Sequence, residues 1–118
     1  MRVAVRTRPL MPHEKQRQDK KMVRIDPNSN GTTLICAFPN GQEKQFKFNA
    51  ALDENTRQSE VFSKCKVNEL IDSALDGYSA TIFAYGQTGS GKTYTMSGNE
   101  EALGSEDWTP DESSGLFL

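Results

Sequence analysis

The run Gly86-Gln87-Thr88-Gly89-Ser90-Gly91-Lys92-Thr93 constrains this chain more than any other stretch. It fits G-x-x-x-x-G-K-[ST], a spacing in which a glycine-rich backbone wraps closely enough for its N–H groups to converge on phosphate oxygens. Lys92 then supplies a point positive charge for the β- and γ-phosphates, and the Thr93 hydroxyl is a hard oxygen ligand suited to Mg²⁺. The flanks fit the same reading. Residues 80–85 (ATIFAY) are short, apolar and rich in β-branched and aromatic types, which predicts a buried strand. Residues 92–96 (KTYTM) contain no breaker before Gly98, which predicts one or two helical turns whose positive end faces the loop. A Gly/Ser loop alone could be a plain connector; strand, loop and helix in succession are what phosphate binding requires.

The chain has 118 residues, enough for one small domain at most. Hydrophobic residues make up 35% and charged residues 25%, a polar balance for a self-sufficient core. The net charge of −2 gives no basic field, which argues against a dedicated nucleic-acid binder. Cys36 and Cys65 have no metal-ligand spacing and read as free thiols in a reducing compartment. No apolar run has the length of a membrane span, and the N-terminus lacks the apolar stretch of a signal peptide, so a cytoplasmic protein is expected.

Along the chain, residues 1–8 alternate Val3 and Val5 against Arg2, Ala4 and Arg6, a strand that Pro9 ends. Residues 11–22 are polar and read as a solvated loop, with His13 exposed. A short strand is expected at 22–25, turn chemistry at 28–31, and a hairpin from 32–38 to 44–48 across Pro39-Asn40-Gly41, with Phe46 and Phe48 on one face. Asn55 is expected to cap one helix, with Gln58 reaching back to it, running to about Leu75 and stopped by Asp76-Gly77. Val61, Phe62, Cys65, Leu70, Ile71, Ala74 and Leu75 recur at helical steps and predict its buried face. Residues 98–114 carry six carboxylates (Glu100, Glu101, Glu106, Asp107, Asp111, Glu112) and no base, so they read as an acidic surface loop, with Trp108 a weak candidate anchor.

Several of these stretches together resemble one family. Val3-Ala4-Val5-Arg6-Thr7-Arg8-Pro9-Leu10 is similar to the opening strand of kinesin motor domains with its R-x-R-P. Phe46-Lys47-Phe48-Asn49 resembles the family's F-x-F-D, with Asn49 for Asp, and Gln58 with Val61-Phe62 resembles Q-x-x-V-[FY]. Residues 77–98 resemble G-x-N-x-T-[IV]-[FL]-A-Y-G-Q-T-G-S-G-K-T-x-T-M-x-G, with Ser79 for Asn, and Gly115-Leu116 resembles the start of G-[IL]-[IF]-P-R.

The resemblance implies an α/β fold: a P-loop NTPase-like sheet flanked by helices, incomplete here, with a small antiparallel β-lobe. Residues 1–118 would be the N-terminal part of the motor domain, with the phosphate loop at 86–93 and a variable acidic loop at 98–114. It implies that Gly86, Gln87, Thr88, Gly89, Ser90, Gly91, Lys92 and Thr93 bind ATP and Mg²⁺, Lys92 and Thr93 also serving turnover. Arg6, Arg8, Pro9 and Tyr94 would flank the adenine and ribose. Without the family, Arg6 and Arg8 read as exposed edge-strand charges and Tyr94 as ordinary packing. Microtubules would be the partner and the microtubule cytoskeleton the location. The switch motifs N-x-x-S-S-R-S-H and D-L-A-G-S-E do not occur in the sequence, so this chain alone is expected to hydrolyse ATP poorly. The alternative is a short nucleotide-binding or interaction module without ATPase activity. An unrelated P-loop ATPase or GTPase does not account for the matches around the loop.

Overall fold

The computed structural model describes residues 1–98 and 114–116. The acidic stretch between those two segments, Trp108 included, lies outside the described residues. The chain forms two compact units, Met1–Asn55 and Thr56–Leu118.

The first unit holds two small sheets. Strand β1 (Ala4–Arg6) runs parallel to β5 (Ala50–Leu52), with Val5 opposite Ala51. Sequence patterning did not mark β5, because three residues are too few to show a period. All three are buried all the same, Leu52 at 3% exposure. Asn49 sets the register: its side-chain Oδ1 accepts from Val3 N at 2.8 Å while its own N–H donates to Val3 O at 2.9 Å. An aspartate would accept the same bond, so this departure from the family pattern leaves the contact intact.

The second sheet is antiparallel, in the order β2 (Val23–Ile25), β3 (Thr33–Ala37), β4 (Glu43–Lys47). The expected hairpin is present. Gly41 takes φ +81°, which a side chain resists, and the Phe38 N–H donates to Gln42 O at 2.8 Å. Central β3 buries Thr33, Leu34 and Ile35. Edge strand β4 stays exposed throughout, and Phe46 keeps 44% of its surface in contact with solvent.

Residues 11–22 depart from the expected loop, since Pro12–Gln16 forms a short helix, α1. Pro12 occupies the first turn, where its missing N–H costs nothing. Glu14 closes the turn by accepting from Met11 N at 2.7 Å, and both its oxygens accept from the Arg8 guanidinium at 2.7 Å. His13 is exposed, as expected. The hydrogen bond from Arg8, followed by that from Met11 N–H, holds the Glu14 carboxyl down to about 2. A depressed folded-state pKa contributes stability that is fully present above the ordinary glutamate value of about 4.3 and is lost as pH falls through about 2. Carbon-detected NMR titration is expected to place the Glu14 midpoint near 2 in the wild type and to move it up toward the ordinary value in Arg8→Ala, where the Met11 N–H bond still holds it somewhat down. An ordinary midpoint in the wild type contradicts the pairing.

In the second unit the single expected helix is two. Helix α2 spans Gln58–Lys64 and α3 spans Val67–Leu75. Lys66 breaks them with φ +56°, a left-handed conformation that unbranched polar side chains tolerate at some cost and that spacing alone does not reveal. The cap also differs. Asn55 N–H donates to Asp53 Oδ1, and Glu60 reaches back to Arg57 N at 2.8 Å. The buried face is narrower than expected. Val61 and Val67 are buried, whereas Ile71 is 46% and Leu75 80% exposed. Gly77 ends α3 at φ +93°, as expected.

The largest correction concerns residues 80–85. They form no strand; Phe83 is 77% and Tyr85 95% exposed. A buried strand needs a hydrogen-bonded neighbour and cover on its faces. Among the described residues, no strand pairs with this segment. Composition marks the segment as suited to burial, but burial itself comes from partners.

Candidate functional site

Residues 86–91 form an irregular loop that runs straight into helix α4 (Lys92–Ser97), the helix the sequence predicts there. Gly91 sits before the helix at φ +95°, a left-handed entry that no larger residue takes readily. Gly86 sits close against Ser90: a Cβ there would lie 2.5 Å from Ser90 Oγ, so that hydroxyl would have to turn away to admit one. Ser90 N–H donates to Gln87 O at 3.1 Å, tightening the curl. Gln87, Thr88 and Gly89 face solvent, and Ser90 is half-buried.

Lys92 folds back over the loop. Its ammonium donates to Gly86 O at 2.7 Å and Gln87 O at 2.9 Å. The positive charge therefore stands at the mouth of the curl, on a flexible stem that can exchange these carbonyls for a stronger anionic acceptor. Thr93, one residue on, is exposed. Thr95 Oγ is committed elsewhere, donating to Gly91 O at 2.9 Å. Of the two threonines of α4, Thr93 is the exposed one, at the start of the helix.

The far end of α4 is tied down too. Gly98 N–H donates to Tyr94 O at 2.9 Å, Gly98 bridges to Ser114, and Leu116 N–H donates to Thr95 O at 3.2 Å. Gly115 passes so close to Met96 O and Gly98 N that a Cβ has no room. Gln58, 6% exposed, sends its side-chain amide to Tyr94 O at 2.6 Å and Thr95 O at 3.3 Å. The expected role of Gln58 as a capping partner for Asn55 is thereby replaced. No sequence pattern signals this contact, because it joins residues far apart in the chain. Glu14 was also missed, although Pro12 followed by Glu14 is a legible helix start.

The remaining candidates divide between the units. Tyr94 lies in α4, 47% exposed. Arg6 stands in β1 opposite Leu52 and is half-buried. Arg8 grips Glu14 and also donates to Pro9 O at 3.0 Å, while Pro9 itself is exposed. Those three belong to the first unit and the loop to the second.

Comparison with known proteins points one way. A family model described as the kinesin motor domain matches residues 6–117. The kinesin-like protein KIF7 of Mus musculus is 43% identical over 96 residues, covering 81% of this chain and 7% of that protein. KIN-14M of Oryza sativa subsp. japonica is 46% identical over 112 residues, covering 92% of this chain and 9% of that protein. KIN-14D of Arabidopsis thaliana is 41% identical over 102 residues, covering 86% and 13% respectively. The chain thus spans only a small part of the length of these relatives.

Proposed function

The chain belongs to the kinesin motor-domain family, and on that premise we propose that residues 86–93 are the ATP phosphate loop of a microtubule motor. The observation that carries this reading is the tight glycine curl feeding α4 with the Lys92 ammonium held at its mouth. In it, backbone N–H groups of the loop residues Gly86, Gln87, Thr88, Gly89 and Gly91 cradle the phosphates, Ser90 N–H holds the curl closed on Gln87 O, and Lys92 neutralises the β/γ charge. The close approach of Ser90 to Gly86 suits a tight curl, and the exposed position of Thr93 suits a hard-oxygen cation ligand. Thr93 would hold Mg²⁺, which offsets phosphate charge when bound.

Arg6, Arg8, Pro9 and Tyr94 frame the base and ribose in this reading. For Arg8 the frame is stiffened by Glu14, which fixes the guanidinium from two oxygens. Turnover belongs to the intact motor: phosphoryl transfer also needs groups around the γ-phosphate and the attacking water, and no such motif occurs in residues 1–118. Microtubule-stimulated ATP hydrolysis, microtubule binding and a cytoskeletal location are accordingly proposed for the whole protein.

The test is an ATPase assay of the intact motor with and without microtubules, beside equilibrium binding of a fluorescent ATP analogue with Mg²⁺. Binding together with microtubule-stimulated turnover is the expected result. Binding without stimulation supports the module without ATPase activity in place of the motor, and absence of binding removes the site.

A further inference from the structure

We infer that Gln58 is a positioning residue for the phosphate loop, acting through the far end of α4. This rests on the phosphate-loop reading above. Helix α4 has only six residues, too short to hold its own geometry in water. Its last turn takes donors from beyond the helix as well as from Gly98 N–H, which reaches Tyr94 O. Gln58 provides one from α2, where its amide is buried and reaches Tyr94 O at 2.6 Å and Thr95 O at 3.3 Å. These carbonyls follow directly on Lys92 and Thr93. The amide therefore anchors the opposite end of the short element that carries both groups, and its donors meet the negative end of the helix dipole.

The contact is specific in a way a mere filler is not. The carbonyls of Tyr94 and Thr95 also accept from Gly98 N and Leu116 N, so they do not depend on Gln58 for satisfaction. What Gln58 adds is a rigid link between α2 and α4. Among the described residues, every buried side-chain polar atom has a hydrogen-bond partner. Loss of the link lets α4 shift, and small shifts of a charge-bearing group cost binding steeply.

The test uses the intact protein and three variants: Gln58→Met, which keeps length and volume but removes the donor; Gln58→Glu; and Lys92→Ala. In nucleotide-free protein, amide hydrogen exchange of residues 95–97 is expected to quicken in Gln58→Met while α3 is unchanged. Affinity for the fluorescent ATP analogue is expected to fall about tenfold, the worth of one buried hydrogen bond amplified by position. Gln58→Glu supplies a readout that simple damage to the fold does not move. A carboxylate facing two carbonyl oxygens repels them, and burial together with those oxygens raises its pKa, so the neutral acid can donate again as pH falls. Its affinity is expected to be lowest near pH 8 and to recover toward pH 6, where the wild type is flat. Wild-type affinity in Gln58→Met, or no recovery of Gln58→Glu with acid, overturns the inference. Weak binding by Lys92→Ala beside wild-type binding by Gln58→Met removes only the positioning role. Wild-type binding by Lys92→Ala removes the phosphate-loop reading and this inference with it.

Discussion

Lys92→Ala is expected to lower both nucleotide affinity and microtubule-stimulated turnover of the intact motor by about two to three orders of magnitude. The proposed contacts to the β- and γ-phosphates are charge-assisted hydrogen bonds, each worth about 1.5–3 kcal/mol, and two of them at the lower to middle part of that range correspond to that loss. The structure argues that the fold survives. Lys92 donates to Gly86 O and Gln87 O, but both residues face solvent, so water can replace the ammonium at those carbonyls. The curl keeps its Ser90–Gln87 bond and α4 keeps the Thr95–Gly91 bond. Alanine also has the higher helix propensity. The melting temperature is therefore expected to stay within a few degrees while binding collapses. Lys92→Met separates charge from bulk: it keeps the stem and should lose as much as alanine does. If either variant retains wild-type affinity and rate, Lys92 is a loop-closing side chain and the phosphate assignment is wrong.

The parts of the fold and of the site that local chemistry determines were legible in the sequence. The loop glycines, the helix after them and the hairpin at Asn40-Gly41 each follow from backbone preferences that act within a few residues. What depends on distant partners was not. The apolar run at 80–85 has the composition of a buried strand and stands exposed, because strand formation requires a neighbour that composition cannot supply. Conversely, β5 is a real strand with almost no local signal, made by its pairing with β1 and the grip of Asn49 on Val3. The helix broken at Lys66 shows the same limit. The apolar steps continue across the break, so periodicity reads one helix where a single left-handed residue makes two.

Gln58 shows how this limit bears on function. Its position invited a local reading, a capping partner three residues from Asn55, and local chemistry permits it. The structure uses the residue over a long range instead, on the carbonyls of the helix after the loop. Glu14 does likewise for Arg8. In both cases an element that sequence reading selects as functional is held by a side chain to which that reading gives another role or none. The supporting contacts depend on tertiary geometry, which a linear pattern does not contain.

Thr93→Ala is the second large effect, and it has a different signature. If the Thr93 hydroxyl holds Mg²⁺, its loss should weaken Mg²⁺-dependent nucleotide binding and turnover by about ten- to a hundredfold or more, the lower figures being typical of groups that only support a metal ligand. Affinity measured with the metal chelated should stay within about twofold of wild type, since the loop N–H groups and Lys92 remain. Thr93→Ser keeps the hydroxyl and should restore most of the loss. Thr95 cannot compensate: its hydroxyl is spent on Gly91 O at 2.9 Å, inside the helix it belongs to. The two threonines thus provide an internal contrast. Thr95→Ala removes a bond within α4 and should act equally with and without Mg²⁺, whereas Thr93→Ala should act only with it. Equal losses from Thr93→Ala in the two conditions would mean that Thr93 shapes the helix start and holds no metal. The dependence on Mg²⁺, more than the size of the loss, decides the role of this residue.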